Sequence, residues 1–277
     1  MVFRGVQWRG AGNACGFRTG AAAAAELSEK IMLRRLRTAC GVVRSLRIYY
    51  GDRDRHAAMD RLYAQFIHAG DLVFDIGAHV GDRVAAFRRL GARVVAVEPQ
   101  PALAATLRWL YGRDPRIAIE ATAVGPRCGA VTLSLNVDNP TVSTASEAFI
   151  AAARQARGWE RETWSVHIRT PMTTLDALIA RHGMPQFAKI DVEGYEAEVL
   201  AGLGQMLPGL SFEFTTIQRP VAEAAIARCA ALGFSRFNAA LGESHILAFA
   251  PWRSADEIAR WLRDLPHEAN SGDIYAV

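Results

Sequence analysis

The sequence predicts an α/β fold in which helices cover both faces of a mostly parallel sheet. Two observations favour this fold class. From residue 72 onward, short β-rich runs alternate with helical patterns, and several of these runs are apolar at every position, as in strands buried on both faces. The first run leads through a turn with two glycines into a helical pattern, which is the connection where such sheets bind nucleotides.

Three segments are expected along the chain. Residues 1–20 are rich in Gly and Arg without periodicity, which predicts a disordered segment or an over-extended start. Residues 21–69 are expected to form an N-terminal helical extension, with helices over Ala21 to about Leu46 and about Arg55 to His68. Residues 70–277 are expected to form the main domain.

Within the main domain the elements follow in a regular order. The predicted strands are Leu72–Ile76, Arg93–Val97, Ile117–Ile119, Phe187–Ile190, Leu210–Phe214, Ser235–Asn238 and Ile246–Phe249. The predicted helices are Asp82–Leu90, Pro101–Tyr111, Thr174–His182, Gly194–Leu203 and Val221–Leu232. Two further runs, Val131–Leu135 and Ser165–Arg169, predict an insertion or hairpin before the fourth core strand, and the residues between them are expected to face the acceptor as a lid.

The charge distribution argues against a nucleic-acid partner. The first 63 residues contain 12 basic and 5 acidic side chains, whereas the remaining 214 contain 20 and 23. A basic arm can bind nucleic acid or an anionic membrane surface. Here the arginines are spread around the predicted helix and no nucleic-acid-binding module follows, so we expect a solvated helix face.

Cysteine and hydropathy patterns give further expectations. Cys15, Cys40, Cys128 and Cys229 form no CxxC pair and have no histidine at ligand spacing, so neither a zinc site nor a disulfide framework is predicted. No apolar run approaches the roughly 18 residues of a membrane span. The first 30 residues lack the apolar centre of a signal peptide, and we therefore expect a cytoplasmic protein.

The turn after the first strand indicates which nucleotide is bound. Asp75 ends the strand where a dinucleotide fold has its first glycine, and Gly77 and Gly81 follow. A carboxylate about 5 Å from a pyrophosphate costs roughly 3 kcal/mol at an effective dielectric constant near 20. S-adenosylmethionine (SAM) carries an ammonium and a sulfonium and has no phosphate, so Asp75 favours it. Gly77 and Gly81 are expected to let this cofactor approach the backbone closely.

The second strand agrees with a ribose-bearing cofactor. It ends in Glu98, 23 residues after Asp75, close to the spacing of about 20 expected for an acid that binds ribose hydroxyls. A carboxylate accepts hydrogen bonds from both hydroxyls. Asp75 and Glu98 together therefore predict a SAM site.

Charged side chains also end the fourth predicted strand. Every second residue from 189 to 193 is charged: Lys189, Asp191 and Glu193. In an extended segment, every second side chain points to the same face, so these three are expected to point the same way. Charges clustered where a buried strand emerges are unfavourable unless they pair or take part in chemistry. They are candidates for acid–base or substrate-holding roles. An ion pair of Lys189 with a glutamate, together with a helix N-cap at Asp191, is the structural alternative and is compatible with that role.

A family resemblance rests on six stretches of the chain. In order, they are VFDIGAHVGD, VVAVEPQP, AVGPRCGAVTLSL, TTLDALI, FAKIDVEGYEAEVLAGL and LSFEF. This set resembles the FkbM-type family of SAM-dependent methyltransferases over about Asp71 to Phe249, most specifically in KIDVEGYEAEVL. The resemblance implies a class I methyltransferase (Rossmann-like) fold, a seven-stranded sheet with its last strand antiparallel. It also implies O-methylation of a hydroxyl on a sugar, polyketide or other small metabolite, with a small-molecule or glycan acceptor as partner.

The chain departs from the family pattern at three positions. His79 stands where an asparagine is frequent; it can hydrogen-bond the cofactor, but its protonated form would repel the sulfonium. Ala121 and Pro126 stand where Asn and Asp are common, so we expect the backbone around Thr122 and Ala123 to contact the adenine instead.

Methyl transfer to an alcohol requires alignment and a base. Asp191 is the first candidate for this base, followed by Glu193; Lys189 is expected to orient these carboxylates, and Glu213, in the fifth strand, to join them. No metal is assigned, although a divalent site formed by Asp191, Glu193 and Glu213 is an alternative.

Two other function classes stay open at this level. One is an NAD-dependent oxidoreductase or epimerase of Rossmann type, which Asp75 disfavours for the electrostatic reason given above. The other is a non-catalytic binding protein with a SAM-type fold. The acids that end several strands argue against the second, because a decayed site has no reason to keep them.

Overall fold

A computed structural model of the chain describes residues 20–277. The chain divides into two units, Met1–Leu36 and Arg37–Val277. The prediction of a disordered or over-extended start over 1–20 falls outside the described residues, apart from residue 20. The boundary expected between residues 69 and 70 stays a prediction.

Helices and strands alternate through most of the second unit. The helices are α1 (Gly20–Tyr50), which begins in the first unit, α2 (Arg53–Tyr63), α3 (Asp82–Arg89), α4 (Pro101–Tyr111), α5 (Glu147–Ala153), α6 (Leu175–His182), α7 (Glu196–Ala201), α8 (Arg219–Leu232) and α9 (Ala255–Asp264). The strands are β1 (Leu72–Ile76), β2 (Arg93–Val97), β3 (Ile117–Glu120), β4 (Ala123–Val124), β5 (Gly129–Leu135), β6 (Val166–Thr173), β7 (Phe187–Ile190), β8 (Leu210–Thr215), β9 (Phe237–Leu241) and β10 (Ser271–Ala276).

Seven strands form the central sheet, in the order β3-β2-β1-β7-β8-β10-β9. The first five are parallel, and β10 runs antiparallel to both β8 and β9. This arrangement confirms the expected mostly parallel sheet with an antiparallel last strand. Of the helices described, none is long and apolar enough to cross a membrane.

Side chains of β1 alternate between two hydrophobic cores. Phe74 and Ile76 belong to a core that includes residues of α6, α7, α8 and α9, whereas Val73 belongs to a core that includes residues of α2, α3 and α4. All five residues of β1 are buried because helices cover both faces of the strand. The apolar run at 72–76 therefore predicted this position correctly.

The order of strands reverses next to β1. Chain order proceeds to β2 and β3 on one side of β1 and to β7 and β8 on the other. Ligands of open α/β sheets bind beyond the carboxyl ends of the strands at such a reversal. The predicted insertion is also present, as an antiparallel pair of β5 and β6 joined by β4 in a separate three-stranded sheet.

The predicted strand Ile246–Phe249 is wrong. Ile246 is 71% exposed, and the side chain of Asn238 accepts from Phe249 N and donates to its carbonyl oxygen, at 3.1 and 2.8 Å. The strand that completes the sheet is β10, which lies between β8 and β9. Its sequence, SGDIYA, begins with small and polar residues, so a search for apolar runs does not find it.

The helix α9, before β10, was also missed, although its start carries a recognisable signal. Ser254 accepts a hydrogen bond from Glu257 N, and the Glu257 carboxylate accepts from Ser254 N, which together form a capping box. The spacing Ser-x-x-Glu predicts such a helix start, and a strand-centred interpretation of this region overlooked it.

Two isoleucines test the corrected strand assignment. Ile274 in β10 is fully buried, whereas Ile246 lies outside the sheet and is largely exposed. We expect Ile274→Ala to lower the free energy of unfolding by about 2–5 kcal/mol and Ile246→Ala by no more than about 0.5 kcal/mol. Urea denaturation of both variants measures the difference, and equal losses would contradict the assignment.

Candidate active site

An open cleft of about 900 Å³ lies at the carboxyl ends of β1, β2 and β7. Its walls include the turn after β1, the ends of β2 and β7, and parts of the insertion. This is the position that the reversal of strand order specifies. All of the sequence-predicted site residues except Gly81 and Glu213 line it, and they come from separate strands and turns.

Asp75 lies at this cleft with a buried carboxylate. The residue is 1% exposed, and its Oδ2 atom has no hydrogen-bond partner among residues 20–277. Burial raises the pKa of Asp75 to about 7, although the Lys189 ammonium acts in the opposite direction. A cationic ligand group would satisfy the unpartnered oxygen, so the residues present fit the ammonium of SAM.

The two glycines of the turn are required by packing within the protein. Gly77 has φ +84°, and a Cβ there would lie 1.8 Å from the carbonyl oxygen of Asp191. Gly81 also has φ +84°, and its Cβ would lie 2.7 Å from side-chain atoms of Leu107 and Tyr111 in α4. Gly77 lines the cleft, whereas Gly81 is the residue before α3. The expected role of Gly81 in cofactor approach therefore has a competing structural explanation, namely the packing of α3 on α4.

His79 links the first turn to the second strand. Its backbone N–H donates to Glu98 Oε2 at 2.9 Å, and its ring packs edge-to-face on Tyr49 with centroids 5.4 Å apart. Burial lowers the pKa of His79 to about 4. The ring is therefore neutral near pH 7, and the repulsion of a sulfonium that the sequence suggested does not arise.

Glu98 lies beside His79 at the end of β2. Its carboxylate is buried and accepts from the backbone N–H groups of His79 and Gln100, at 2.9 and 2.8 Å. Burial raises the pKa of Glu98 to about 8, while these two hydrogen bonds act to lower it. The side chain is thus held in one orientation at the cleft, as the binding of ribose hydroxyls requires.

Thr122 and Ala123 both line the cleft after β3. The Thr122 hydroxyl donates to the carbonyl oxygen of Pro171 at 2.9 Å, so it is already engaged within the protein. The placement agrees with the expected backbone contact to the adenine, which stays a prediction.

Lys189 is buried at the centre of the charged group. It is 2% exposed, forms an ion pair with Asp191, and its Nζ lies 3.6 Å from Asp273 Oδ1. Burial acts to lower the pKa of the ammonium, but Asp191 and Asp273 raise it well above its usual value. Lys189 is therefore a permanent cation that orients Asp191. Asp273 belongs to β10, and its part in the cluster was missed because the strand was missed.

The loop after β7 is held in a strained conformation. Glu193 has φ +56°, and its carbonyl oxygen accepts from the Thr144 hydroxyl at 2.7 Å. Glu196 Oε1 accepts from the backbone N–H groups of Val192 and Gly194, at 3.0 and 3.2 Å. Glu196 was not predicted, although a glutamate in the first turn of a helix is a usual partner for such groups. The two contacts fix where the Glu193 side chain projects.

Asp191, Glu193 and Glu213 come together as the sequence predicted. One carboxylate oxygen from each lies within 4.8 Å of the other two. Burial, followed by the neighbouring carboxylates, raises the pKa of both Glu193 and Glu213 well above the usual value. The triplet therefore lies in a setting that suits acid–base chemistry or the binding of a cation.

Residues outside the predicted set also line the cleft. They are Tyr49, Asp82, Arg83, Thr141, Ser143, Tyr195 and Glu243. Arg83 Nη2 and Arg55 Nη2 both contact Glu243 Oε2, at 2.9 and 2.8 Å. Tyr49 belongs to α1, in the region to which the sequence assigned no chemistry. No local motif marks it, because its position depends on how α1 packs against the turn after β1.

The tryptophans of the insertion have packing roles. Trp164 is buried and donates from Nε1 to the carbonyl oxygen of Val142 at 2.7 Å. Trp159 and Trp164 both pack edge-to-face on Phe149. Ring contacts of this kind stabilise the insertion, and neither tryptophan lines the cleft.

The fold and the site together define a class of protein. The chain has a seven-stranded sheet with an antiparallel last strand, and acids lie at a cleft formed by the ends of β1 and β2. This fold is that of class I SAM-dependent methyltransferases. The chain belongs to the FkbM methyltransferase family, since the model of the methyltransferase FkbM domain matches residues 75–265. Its cofactor is accordingly SAM.

The solved structures to which the chain is similar include several methyltransferases. A precorrin-6y C5,15-methyltransferase from Geobacter metallireducens is 12% identical, with 82% of this chain and 88% of that chain covered and a TM-score of 0.40. A SAM-dependent O-methyltransferase from Thermotoga maritima is 13% identical, with coverages of 79% and 63% and a TM-score of 0.40. Aeropyrum pernix fibrillarin, with natively bound SAM, is 11% identical, with coverages of 76% and 68% and a TM-score of 0.41. A search of curated proteins finds no match.

Replacement of Gly77 tests the contact between the turn and β7. Gly70 has φ +92°, and a Cβ there would meet no atom within 4 Å, so Gly70→Ala isolates the penalty of a positive φ, about 1–2 kcal/mol. We expect Gly77→Ala to lower the free energy of unfolding by at least about 2 kcal/mol more than Gly70→Ala, because its Cβ overlaps the Asp191 carbonyl. Urea denaturation measures both losses. Equal losses would show that the contact is easily relieved.

The affinity for SAM is expected to depend on pH through Asp75. The groups that act on this carboxyl are Lys189, Asp82, Arg83 and Asp191. With a pKa of about 7, its ionised fraction rises from about a tenth at pH 6 to about a half at pH 7, so affinity for the cationic cofactor should rise about fivefold over that range.

Calorimetric titration of SAM at several pH values measures this dependence. The pH range from 6 to 7 lies below the pKa of an α-ammonium, about 7.7–8.0, so the ammonium of SAM stays mostly protonated throughout the titration. Asp75→Asn is expected to bind SAM about ten- to a hundredfold more weakly at pH 7, with a flatter pH profile. A variant that keeps the wild-type pH profile would exclude Asp75 as its source.

Proposed function

We propose that this chain transfers the methyl group of SAM to a hydroxyl group of a small-molecule or glycan acceptor. The observation that carries this proposal is the carboxylate triplet of Asp191, Glu193 and Glu213 beside the acids Asp75 and Glu98 at the same cleft. A methyl donor and a proton acceptor at one cleft are the two requirements of O-methylation.

SAM, when bound, supplies an electrophilic methyl group on its sulfonium. Asp75 binds the ammonium of the cofactor, and Glu98 accepts hydrogen bonds from its ribose hydroxyls. His79 stays neutral and contributes its backbone N–H to the orientation of Glu98. These residues place the donor at the carboxyl ends of β1 and β2.

Asp191 accepts the proton of the acceptor hydroxyl. Its Oδ2 is paired with the Lys189 ammonium, which holds the carboxylate in one orientation at the cleft. Lys189 is a positioning residue in this scheme, because it acts through Asp191. The lining of the cleft by Thr141, Ser143 and Tyr195 offers hydroxyl groups to a polar acceptor, which supports a sugar-like or other hydroxylated substrate.

An acceptor screen tests the proposal directly. The full-length protein is incubated with isotopically labelled SAM and panels of glycans, polyketide-like alcohols and amines, and labelled products are detected by mass spectrometry. Label in hydroxylated compounds supports O-methylation. Label in amines alone would contradict it, and tight binding of NAD without binding of SAM would overturn the proposal as a whole.

Asp191→Asn tests the proposed base with any acceptor found in the screen. We expect kcat to fall about 10²–10⁴-fold, because the amide cannot accept the proton, while the Kd for SAM changes little. Asp60→Asn is the control and makes the same chemical change on α2. Asp60 forms a surface ion pair with Arg89 of α3, so this variant should leave kcat unaltered. Undiminished turnover by Asp191→Asn would remove this residue from the base role.

A further inference from the structure

The ends of β7 and β8 bring three acidic side chains to one point. Asp191 and Glu193 follow β7, and Glu213 lies in β8. An oxygen from each lies within 4.8 Å of the other two. We propose that these three carboxylates form a binding site for a divalent cation that prefers oxygen ligands, such as Mg²⁺, Mn²⁺ or Ca²⁺.

The spacing of the three oxygens suits such an ion. Ligands on opposite sides of Mg²⁺ are about 4.1 Å apart, and those around Ca²⁺ about 4.8 Å, as twice the usual metal–oxygen distances. The three oxygens lie within 4.8 Å of one another, so small side-chain movements allow one ion to contact all three. Two of the ligands come from a loop fixed by Thr144 and Glu196, and the third comes from a central strand.

The second observation is that two of the carboxylates are buried without partners. Glu193 is 8% exposed, and no described residue donates a hydrogen bond to its carboxylate. Glu213 Oε2 is fully buried and is likewise without a hydrogen-bond partner in the described part of the chain. Buried carboxylates that lack partners are strongly unfavourable, and both of these point toward Asp191.

The protein itself provides too little positive charge for this group. Lys189 is paired with Asp191 and is also 3.6 Å from Asp273, so its single charge is shared by two acids before Glu193 and Glu213 are counted. A divalent cation would compensate the two remaining carboxylates. It would also supply the ligands that their oxygen atoms lack.

The proposed site opens toward the cleft. Asp191 and Glu193 line the cleft, and an oxygen of Glu213 lies within 4.8 Å of theirs. A cation held from this side keeps coordination positions free for water or for an oxygen atom of the acceptor. An acceptor hydroxyl bound there would have a lowered pKa; this role in the reaction rests on the proposed function, whereas the binding of the ion does not.

Titration with Mn²⁺ tests the site without any methyl transfer. The full-length protein is freed of metal with a chelator, and bound and free Mn²⁺ are distinguished by electron paramagnetic resonance. We expect one ion per chain with a Kd of about 10⁻⁶–10⁻⁴ M, displaced by excess Mg²⁺ or Ca²⁺. A concentration of 1 mM free Mn²⁺ is roughly ten times the weakest expected Kd. If less than about a fifth of the sites are filled at that concentration, the proposal is overturned. That result would favour carboxyl groups that share protons instead.

Two variants locate the ion. Glu193→Gln and Glu213→Gln keep the side-chain shape and remove one charge each, so we expect each to weaken Mn²⁺ binding at least about tenfold while the Kd for SAM changes little. The matched control is Glu223→Gln. Glu223 lies on α8 and forms an exposed ion pair with Arg263 of α9, so this variant should bind Mn²⁺ like the wild type.

The binding of SAM serves as the check that each variant is folded. Folded Glu193→Gln and Glu213→Gln proteins with wild-type Mn²⁺ affinity would overturn the site. If the variants do not fold, the wild-type titration decides alone. Failure to find an acceptor would count against the proposed function but would leave the Mn²⁺ result interpretable, so the two failures are distinguishable.

Discussion

The burial of carboxylates at the ends of parallel strands is the constraint on which this structure depends. Asp75 and Glu213 lie within strands of the central sheet, and Glu98, Asp191 and Glu193 follow strands, whose residues are mostly buried and apolar. A carboxylate in such a place is stable only if the protein or a ligand supplies positive charge or hydrogen-bond donors. The chain satisfies Glu98 with two backbone N–H groups and Asp191 with Lys189, and it leaves Asp75, Glu193 and Glu213 short of partners. That shortage is what indicates a cationic cofactor at one end of the cleft and a proton or metal ion at the other.

Much of the architecture was predictable because strand burial leaves a local record. The runs at 72–76, 93–97 and 187–190 became central strands with the predicted bounds, since apolar residues on both faces have few alternatives. The same criterion failed at the far edge of the sheet. The residues at 246–249 are apolar without being a strand, and β10 is a strand that begins with Ser, Gly and Asp. Its position between β8 and β9 is set by tertiary packing, which no local window contains.

The candidate site divides in the same way. Acids within or directly after an apolar strand, such as Asp75 and Asp191, were predicted because their place in the sheet follows from the strand itself. Asp273 was not predicted, because its strand was not recognised. Tyr49 was not predicted either, because the sequence of a long helix does not show which of its residues will line a cleft. Both glycines were predicted as important positions from ligand approach alone, but Gly81 is required by the packing of its turn against α4.

The close approach of Gly77 to the carbonyl of Asp191 has a wider consequence. The backbone N–H of Asp191 donates to the carbonyl oxygen of Ile76 at 2.9 Å, so the ends of β1 and β7 are joined main chain to main chain beneath the cleft. The separation of the Asp75 and Asp191 sides of the cleft is thus set by the backbone and not by the side chains that line it. Replacement of residues in the cleft walls therefore changes the shape and polarity of the cleft without changing the distance between its two sides.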